Sequence, residues 1–341
     1  MKKVFITAGI ILIVIVLVGG YIFWGRGTGF QEDTETLYIR SSSATREAVL
    51  DSLKAHKIVS NLWAFETVAG RVDYWKNIKP GRYEIKKGAS VVSIVRQLKN
   101  GQQTPVNLVI VKFRTKEEFA RLIGRRIEAD SLQIISFLNS PDSLKKFQTT
   151  PETVMTNILP DTYTYYWNIG PTQLYQKMYA ASQKFWTDDR VQKAKEMKLS
   201  RAEVSTLASI IEEETTKNDE KDTIASVYLN RLRINMPLQA DPTVKFAVKD
   251  FALKKIAGPM LKVESPYNTY VYRGLPPGPI CTPTAITIDK VLNHATTNYL
   301  YFVARPDLVG HLFSETYNEH LKKRDNYLKA DSIRREMVQT P

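Results

Sequence analysis

The first 24 residues hold one unbroken apolar run. Residues 4–24 (VFITAGIILIVIVLVGGYIFW) carry no charge. As a helix rising about 1.5 Å per residue, the run matches the roughly 30 Å hydrocarbon core of a bilayer. Lys2 and Lys3 precede it, and Tyr21 and Trp24 stand at its far end. Basic residues favour the cytoplasmic side and aromatic rings favour the interface. The pattern predicts an uncleaved single-pass anchor, with residues 1–3 in the cytoplasm and the remainder outside. A signal-peptide core is usually shorter, about 7–15 residues. No second run of this kind follows, which argues against transporters and channels.

Beyond the anchor the pattern alternates. Residues 25–36 (GRGTGFQEDTET) are polar and contain glycine, and read as a tether. Residues 37–40 and 81–85 have strand character, as do 106–111. Helical spacing appears over 45–57 and again over 90–98, where Val91, Ile94, Val95 and Leu98 recur at i, i+3, i+4 and i+7. Ser90 is placed to cap that helix, and Asn100-Gly101 to end it. A third helix is expected over 115–127. Residues 37–127 therefore read as a small α+β module. Residues 128–200 read as mostly helical, interrupted by the aromatic turn ILPDTYTYYW (158–167). The expected organisation is a larger mixed α+β domain over 128–330 and a tail over 331–341.

The stretch 200–217, SRAEVSTLASIIEEETTK, is the most informative. Ser200 and Glu203 form an S-x-x-E capping box, which predicts a helix start. Val204, Leu207, Ala208 and Ile211 form one apolar stripe. Relative to Val204, Glu212 falls at about 80°, Glu213 at about 180° and Glu214 at about 280°. Glu213 is thus expected in solvent, with Glu212 and Glu214 on opposite edges of the stripe. A carboxyl at such a border can be desolvated and kept as a proton donor near neutral pH. The wheel does not choose between Glu212 and Glu214, and a glutamate run is also a common solvated face. Further on, 219–233 reads as a helix with Ile224, Val227, Tyr228 and Leu232 inward. It is followed by Gln239 and Asp241 before a proline, and by YNTY and the rigid GLPPGPI loop.

Composition narrows the classes. The single cysteine, Cys281, excludes an intramolecular disulfide and a cysteine-built zinc site. The four histidines include His311 and His320 but no H-E-x-x-H pattern, so no metal is expected. The net charge of +13 comes from scattered basic residues, densest over 112–126. No nucleic-acid signature accompanies them, so they read as solvated surface or as attraction to an anionic wall polymer.

LASIIEEET, ASVYLNRL, LQADPTV, SPYNTYVYRGLPPGPI and YLYFVA…GHLFSETYNEH, in this order, resemble the MltG/YceG-like endolytic murein transglycosylases. ILPDTY and the stretch 80–102 add to the resemblance, which covers most of 35–330. It implies an anchor in the inner (cytoplasmic) membrane of a bacterium, a LysM-like module and a catalytic region. It implies cleavage of the β-1,4 bond between N-acetylmuramic acid and N-acetylglucosamine within a glycan strand, leaving a 1,6-anhydro end. It assigns Glu212 as the catalytic acid and base, and Glu214, Gln239, Asp241, Asn268, Thr269 and Tyr270 to substrate binding. It implies no cofactor, and it implies a membrane peptidoglycan polymerase complex as partner. The chain departs from the family at Lys112-Phe113-Arg114, where a Gly-containing turn is usual. Two other readings compete: a muramidase using water and a second carboxylate, and a non-catalytic wall-binding scaffold.

Overall fold

The computed structural model describes residues 2–253 and 255–339. The chain forms two compact units that interleave along the sequence. One comprises residues up to 108 together with 123–130 and 163–170; the other holds 109–122, 131–162 and everything from 171 onward.

The first unit begins with α1 (Lys2–Trp24). The side chains of residues 1–5 and of residue 8 lie outside the described residues, so the expected cytoplasmic tail and the start of the anchor do too. Over the described residues no helix is long and apolar enough to cross a membrane. Along α1, Ile10 through Val18 are each more than half exposed.

After α1 come β1 (Thr34–Ile39), α2 (Arg46–Ala55), α3 (Leu62–Arg71), β2 (Gly81–Lys86) and α4 (Val91–Asn100). Strands β1 and β2 pair antiparallel, Leu37 opposite Tyr83. Helix α4 ends as its sequence requires: Ser90 Oγ accepts from the Ser93 N–H, and Gly101 adopts the left-handed conformation (φ 66°). The four apolar positions of α4 are all buried, in a core with Leu37, Leu53, Phe65 and Tyr83. The tether expected over 25–36 is not one. The Gly27 N–H donates to Ala89 O and its carbonyl accepts from the Ser60 N–H. Phe30 is buried in the same core. A large aromatic placed there gains more by burial than the flexible reading of the flanking glycines allows.

The chain passes between the units within β3 (Val106–Ile110) and again within β4 (Asp161–Tyr165), which pair in a two-stranded sheet. The segment read as an aromatic turn therefore contains a strand.

The second unit contains α5 (Lys116–Ile123), α6 (Ser131–Asn139), α7 (Pro141–Leu144), α8 (Pro171–Phe185), α9 (Asp188–Glu196), α10 (Arg201–Glu214), α11 (Lys221–Arg233), α12 (Asp241–Val248) and α13 (Ala285–Leu292). The hairpin β5 (Tyr301–Ala304) and β6 (His311–Ser314) precedes α14 (Tyr317–Gln339), which continues through most of the expected C-terminal tail. The capping box is formed: Ser200 Oγ accepts from the Glu203 N–H, and the Glu203 carboxylate from the Ser200 N–H.

Helix α10 is the centre of this unit. Every residue from Val204 to Ile211 is buried, including Ser205, Thr206 and Ser209. A helix covered on all sides has no solvent face on which to place polar residues. Ser209 instead hydrogen-bonds inward, donating to Thr206 O and accepting from the Ile280 N–H. The glutamates at the end of α10 emerge from this enclosed helix partly buried.

Candidate active site

Three consecutive glutamates emerge from α10 into three different environments. Glu212 points toward α11 and α13. Its Oε2 lies 3.2 Å from Lys221 Nζ, accepts from Thr284 Oγ1 at 3.1 Å, and accepts from Thr287 Oγ1 as well. Lys221 is itself buried, with Nζ donating to Thr287 Oγ1 at 2.8 Å. The first glutamate is a carboxylate clamped by an ammonium and two hydroxyls.

Glu213 is not in solvent. Its side chain is only 13% exposed, with Oε1 2.8 Å from Lys112 Nζ and Oε2 held by both Nε and Nη2 of Arg114. These hydrogen bonds and charges hold its carboxyl below the usual range, against the opposing effect of burial. The expectation from the wheel fails because α10 is enclosed, so its polar face is met by a neighbouring segment. That segment is Lys112-Phe113-Arg114, and its pairing with Glu213 gives these basic residues a structural role. Phe113 is buried, and its N–H donates to Thr282 Oγ1.

Glu214 has the third environment. Its Oε1 accepts a 2.6 Å hydrogen bond from the Tyr228 hydroxyl. Burial, reinforced by the nearby Asp241, pushes its carboxyl up to about 7; Tyr228, Lys245 and Arg231 oppose the rise. The residue as a whole remains partly accessible. Dense protein around the carboxyl, with access retained, lets an acid stay protonated near neutral pH and still reach a substrate.

The loops opposite are fixed by hydrogen bonds to each other. Thr269 Oγ1 accepts from the Ala240 N–H and pairs with Thr243 Oγ1 at 2.9 Å, while the Gln239 N–H donates to Thr269 O. This brings the Tyr270 hydroxyl to Asp241, 2.6 Å from Oδ1. Asp241 is exposed at the first turn of α12. Gln239 takes the left-handed conformation (φ 52°) and leaves its side chain exposed.

The six residues expected to bind substrate therefore separate. Glu214, Asp241 and Tyr270 come together, and Gln239 is exposed on the adjoining loop. Asn268 and Thr269 are fully buried. Asn268 Nδ2 donates to Leu261 O and Val263 O, and Oδ1 accepts from the Tyr270 N–H. Its amide is spent on the loop, so the side chain acts through Tyr270 rather than by contact with a ligand. Thr269 is likewise a bolt between the two loops. The reason is that the YNTY turn is packed between the 261–263 and 240–243 segments, and its small polar side chains bond to them.

Residues outside the sequence-derived set complete the cluster. Tyr228 and Arg231 lie three residues apart on α11, hence on one face. Buried Arg231 donates to Leu300 O at 2.7 Å and to Leu238 O at 2.6 Å, joining the residue before β5 to the segment that leads into α12. Lys221, Thr284 and Thr287 were equally unmarked. Only the i, i+3 spacing of Tyr228 and Arg231 in ASVYLNRL could have marked any of these side chains as a pair.

The profile of the YceG-like family matches residues 37–326. An endolytic murein transglycosylase of Bacillus subtilis (strain 168) is 27% identical over 340 residues, spanning 92% of this chain and 92% of that protein. One from Streptococcus pneumoniae serotype 2 is 27% identical over 261 residues, spanning 67% of this chain and 47% of its own length. The crystal structure of a YceG-like protein from Listeria monocytogenes superposes with a TM-score of 0.56 at 28% identity, spanning 86% of this chain and 99% of that one.

Proposed function

Because the chain belongs to the YceG-like family, we propose that it is an endolytic murein transglycosylase in which Glu214, not Glu212, is the acid and base. The substrate is the glycan strand of peptidoglycan. The bond cut joins C1 of N-acetylmuramic acid to O4 of N-acetylglucosamine.

The observation that carries this assignment is the contrast between the two carboxyls. Glu212 is taken up by the fold: its Oε2 faces the buried Lys221 Nζ and accepts from the Thr284 and Thr287 hydroxyls. Glu214 has a carboxyl pushed up to about 7 beside an exposed carboxylate and two tyrosines. Glu214 gives its proton to the glycosidic oxygen as the C1–O4 bond breaks. The resulting carboxylate takes the proton of the muramoyl 6-hydroxyl as that oxygen bonds to C1, which restores the acid. The nucleophile is already part of the substrate, so no water need be positioned and no second carboxylate at glycosidase spacing is required. Tyr228 fixes the carboxyl through Oε1. Asp241 and Tyr270, with the exposed Gln239, orient the sugars.

The anchor, the LysM-like character of the first unit and the polymerase partner belong to the same reading. A helix whose apolar residues Ile10 to Val18 are all more than half exposed is covered by lipid far better than by water. An anchored enzyme outside the cytoplasm works beside strands as they leave a membrane polymerase.

The test is mass spectrometry of peptidoglycan strands digested by the wild-type chain, Glu214→Gln and Glu212→Gln. Internal fragments with 1,6-anhydro ends, lost in Glu214→Gln, support the proposal. Reducing ends would replace it with a muramidase. Full cleavage by Glu214→Gln would overturn the assignment of the acid.

A further inference from the structure

We propose that the first unit rests on the lipid surface through Trp63, which extends the aromatic belt at the end of α1. This rests on reading α1 as a membrane anchor.

Trp63 stands near the start of α3 and is 64% exposed, although it is the kind of side chain a globular unit normally covers. Its ring lies 6.1 Å from that of Phe23. Phe23 is the penultimate residue of α1, beside Trp24 (70% exposed) and two residues beyond Tyr21 (68% exposed). A separation of 6.1 Å is close to one helical turn of about 5.4 Å. Trp63 is therefore level with the end of α1 to within about one turn. Three exposed aromatic rings thus share one level, with exposed Arg26 immediately beyond. Tyr and Trp favour the headgroup region, where the ring is half solvated, and a cation there meets anionic lipid.

No slack separates that belt from the unit. Ile22 and Phe23 pack against its core, the Gly25 N–H bonds back to Tyr21 O, and Gly27 is tied to both Ala89 and Ser60. A Cβ at Gly27 would come within 2.7 Å of the Val91 backbone nitrogen, so the chain here is pressed onto α4. Helix α1 enters the core directly. If the end of α1 lies at the interface, Trp63 must lie there too, because no flexible segment can lift it away. The occupant of this aromatic patch is the lipid surrounding the chain's own helix.

The experiment is spin-label depth measurement on the full chain in phosphatidylglycerol/phosphatidylethanolamine vesicles. Cys281 is buried, and burial pushes its thiol well up, so it does not compete for the label. A label replaces Trp63 (Trp63→Cys), and in a second protein the mid-helix Val14 (Val14→Cys). Thermal melting confirms that each labelled protein is folded. Collisions with oxygen and with a water-soluble nickel chelate are compared. The proposal expects a several-fold higher oxygen-to-nickel ratio at 63 than for the label free in buffer, and a still higher ratio at 14. A high ratio at 14 with a buffer-like ratio at 63 would overturn the docking while sparing the anchor. Buffer-like ratios at both positions would overturn both.

Discussion

The Tyr228 hydroxyl donates a 2.6 Å hydrogen bond to Glu214 from a neighbouring helix, which fixes one oxygen of a carboxyl that burial keeps protonated near neutral pH. The bond stabilises the charged form, so it restrains a rise that burial drives. The acid is thereby set near the pH at which a donor that must also act as base is most effective.

The rate should follow that balance. Because the protonated carboxyl starts the reaction, kcat/KM falls about tenfold per pH unit above about 7. Tyr228→Phe removes a hydrogen bond to the charged form, raises the Glu214 pKa and moves this alkaline limb to higher pH. A pH–rate profile on a defined glycan oligomer reads both; an unmoved limb would detach Tyr228 from the acid.

Stability should report the same group with the opposite benefit. The folded carboxyl titrates near 7 and the unfolded one near 4.5. The unfolded chain loses its proton first, so the native state weakens from pH 4.5 to 7 and is then level. Glu214→Gln escapes this loss. Urea melts should show the variant about 1–3 kcal/mol more stable at pH 8 and little changed at pH 4, with activity down at least ~10³-fold.

Glu212→Gln should behave differently. It leaves the buried Lys221 ammonium without its anion, which costs about 3–5 kcal/mol. Activity is lost through the fold, and the melting temperature falls. A double variant, Glu212→Gln with Lys221→Met, removes both charges and should recover much of the stability. No recovery would mean that the pair is not the source of the loss.

Asn268→Ala should loosen the YNTY turn. Two carbonyls and the Tyr270 N–H lose their partner, at about 1–3 kcal/mol for each group left buried and unsatisfied. Hydrogen exchange should rise at the Tyr270 amide before the rest of the second unit. Unchanged exchange there would show that the amide does not hold the loop.

Much of the local structure was legible in the chain. Ser90, Gly101 and the Ser200–Glu203 box bounded α4 and the start of α10, because caps act on backbone groups a few residues away. The apolar positions of α4 were all placed correctly for the same reason: a period of 3.6 describes one face against one core. The motifs in order also pointed to the end of α10, where Glu214, Tyr228, Asp241 and Tyr270 are gathered. The assignments of 25–36 as a tether and of 158–167 as a turn failed. The burial of Phe30 and the pairing of β4 with β3 depend on distant residues.

The surroundings of three adjacent glutamates belonged to the tertiary structure alone. A helical wheel gives directions but not what lies along them. Lys221, Thr284 and Thr287 came to Glu212, Lys112 and Arg114 to Glu213, and Tyr228 with Asp241 to Glu214. Arg114 comes from 99 residues before its glutamate and Thr284 from 72 residues after its own. A carboxyl's pKa is decided by burial and by charge within a few ångströms. Sequence set which residues could be acids; only packing decided what each of them meets.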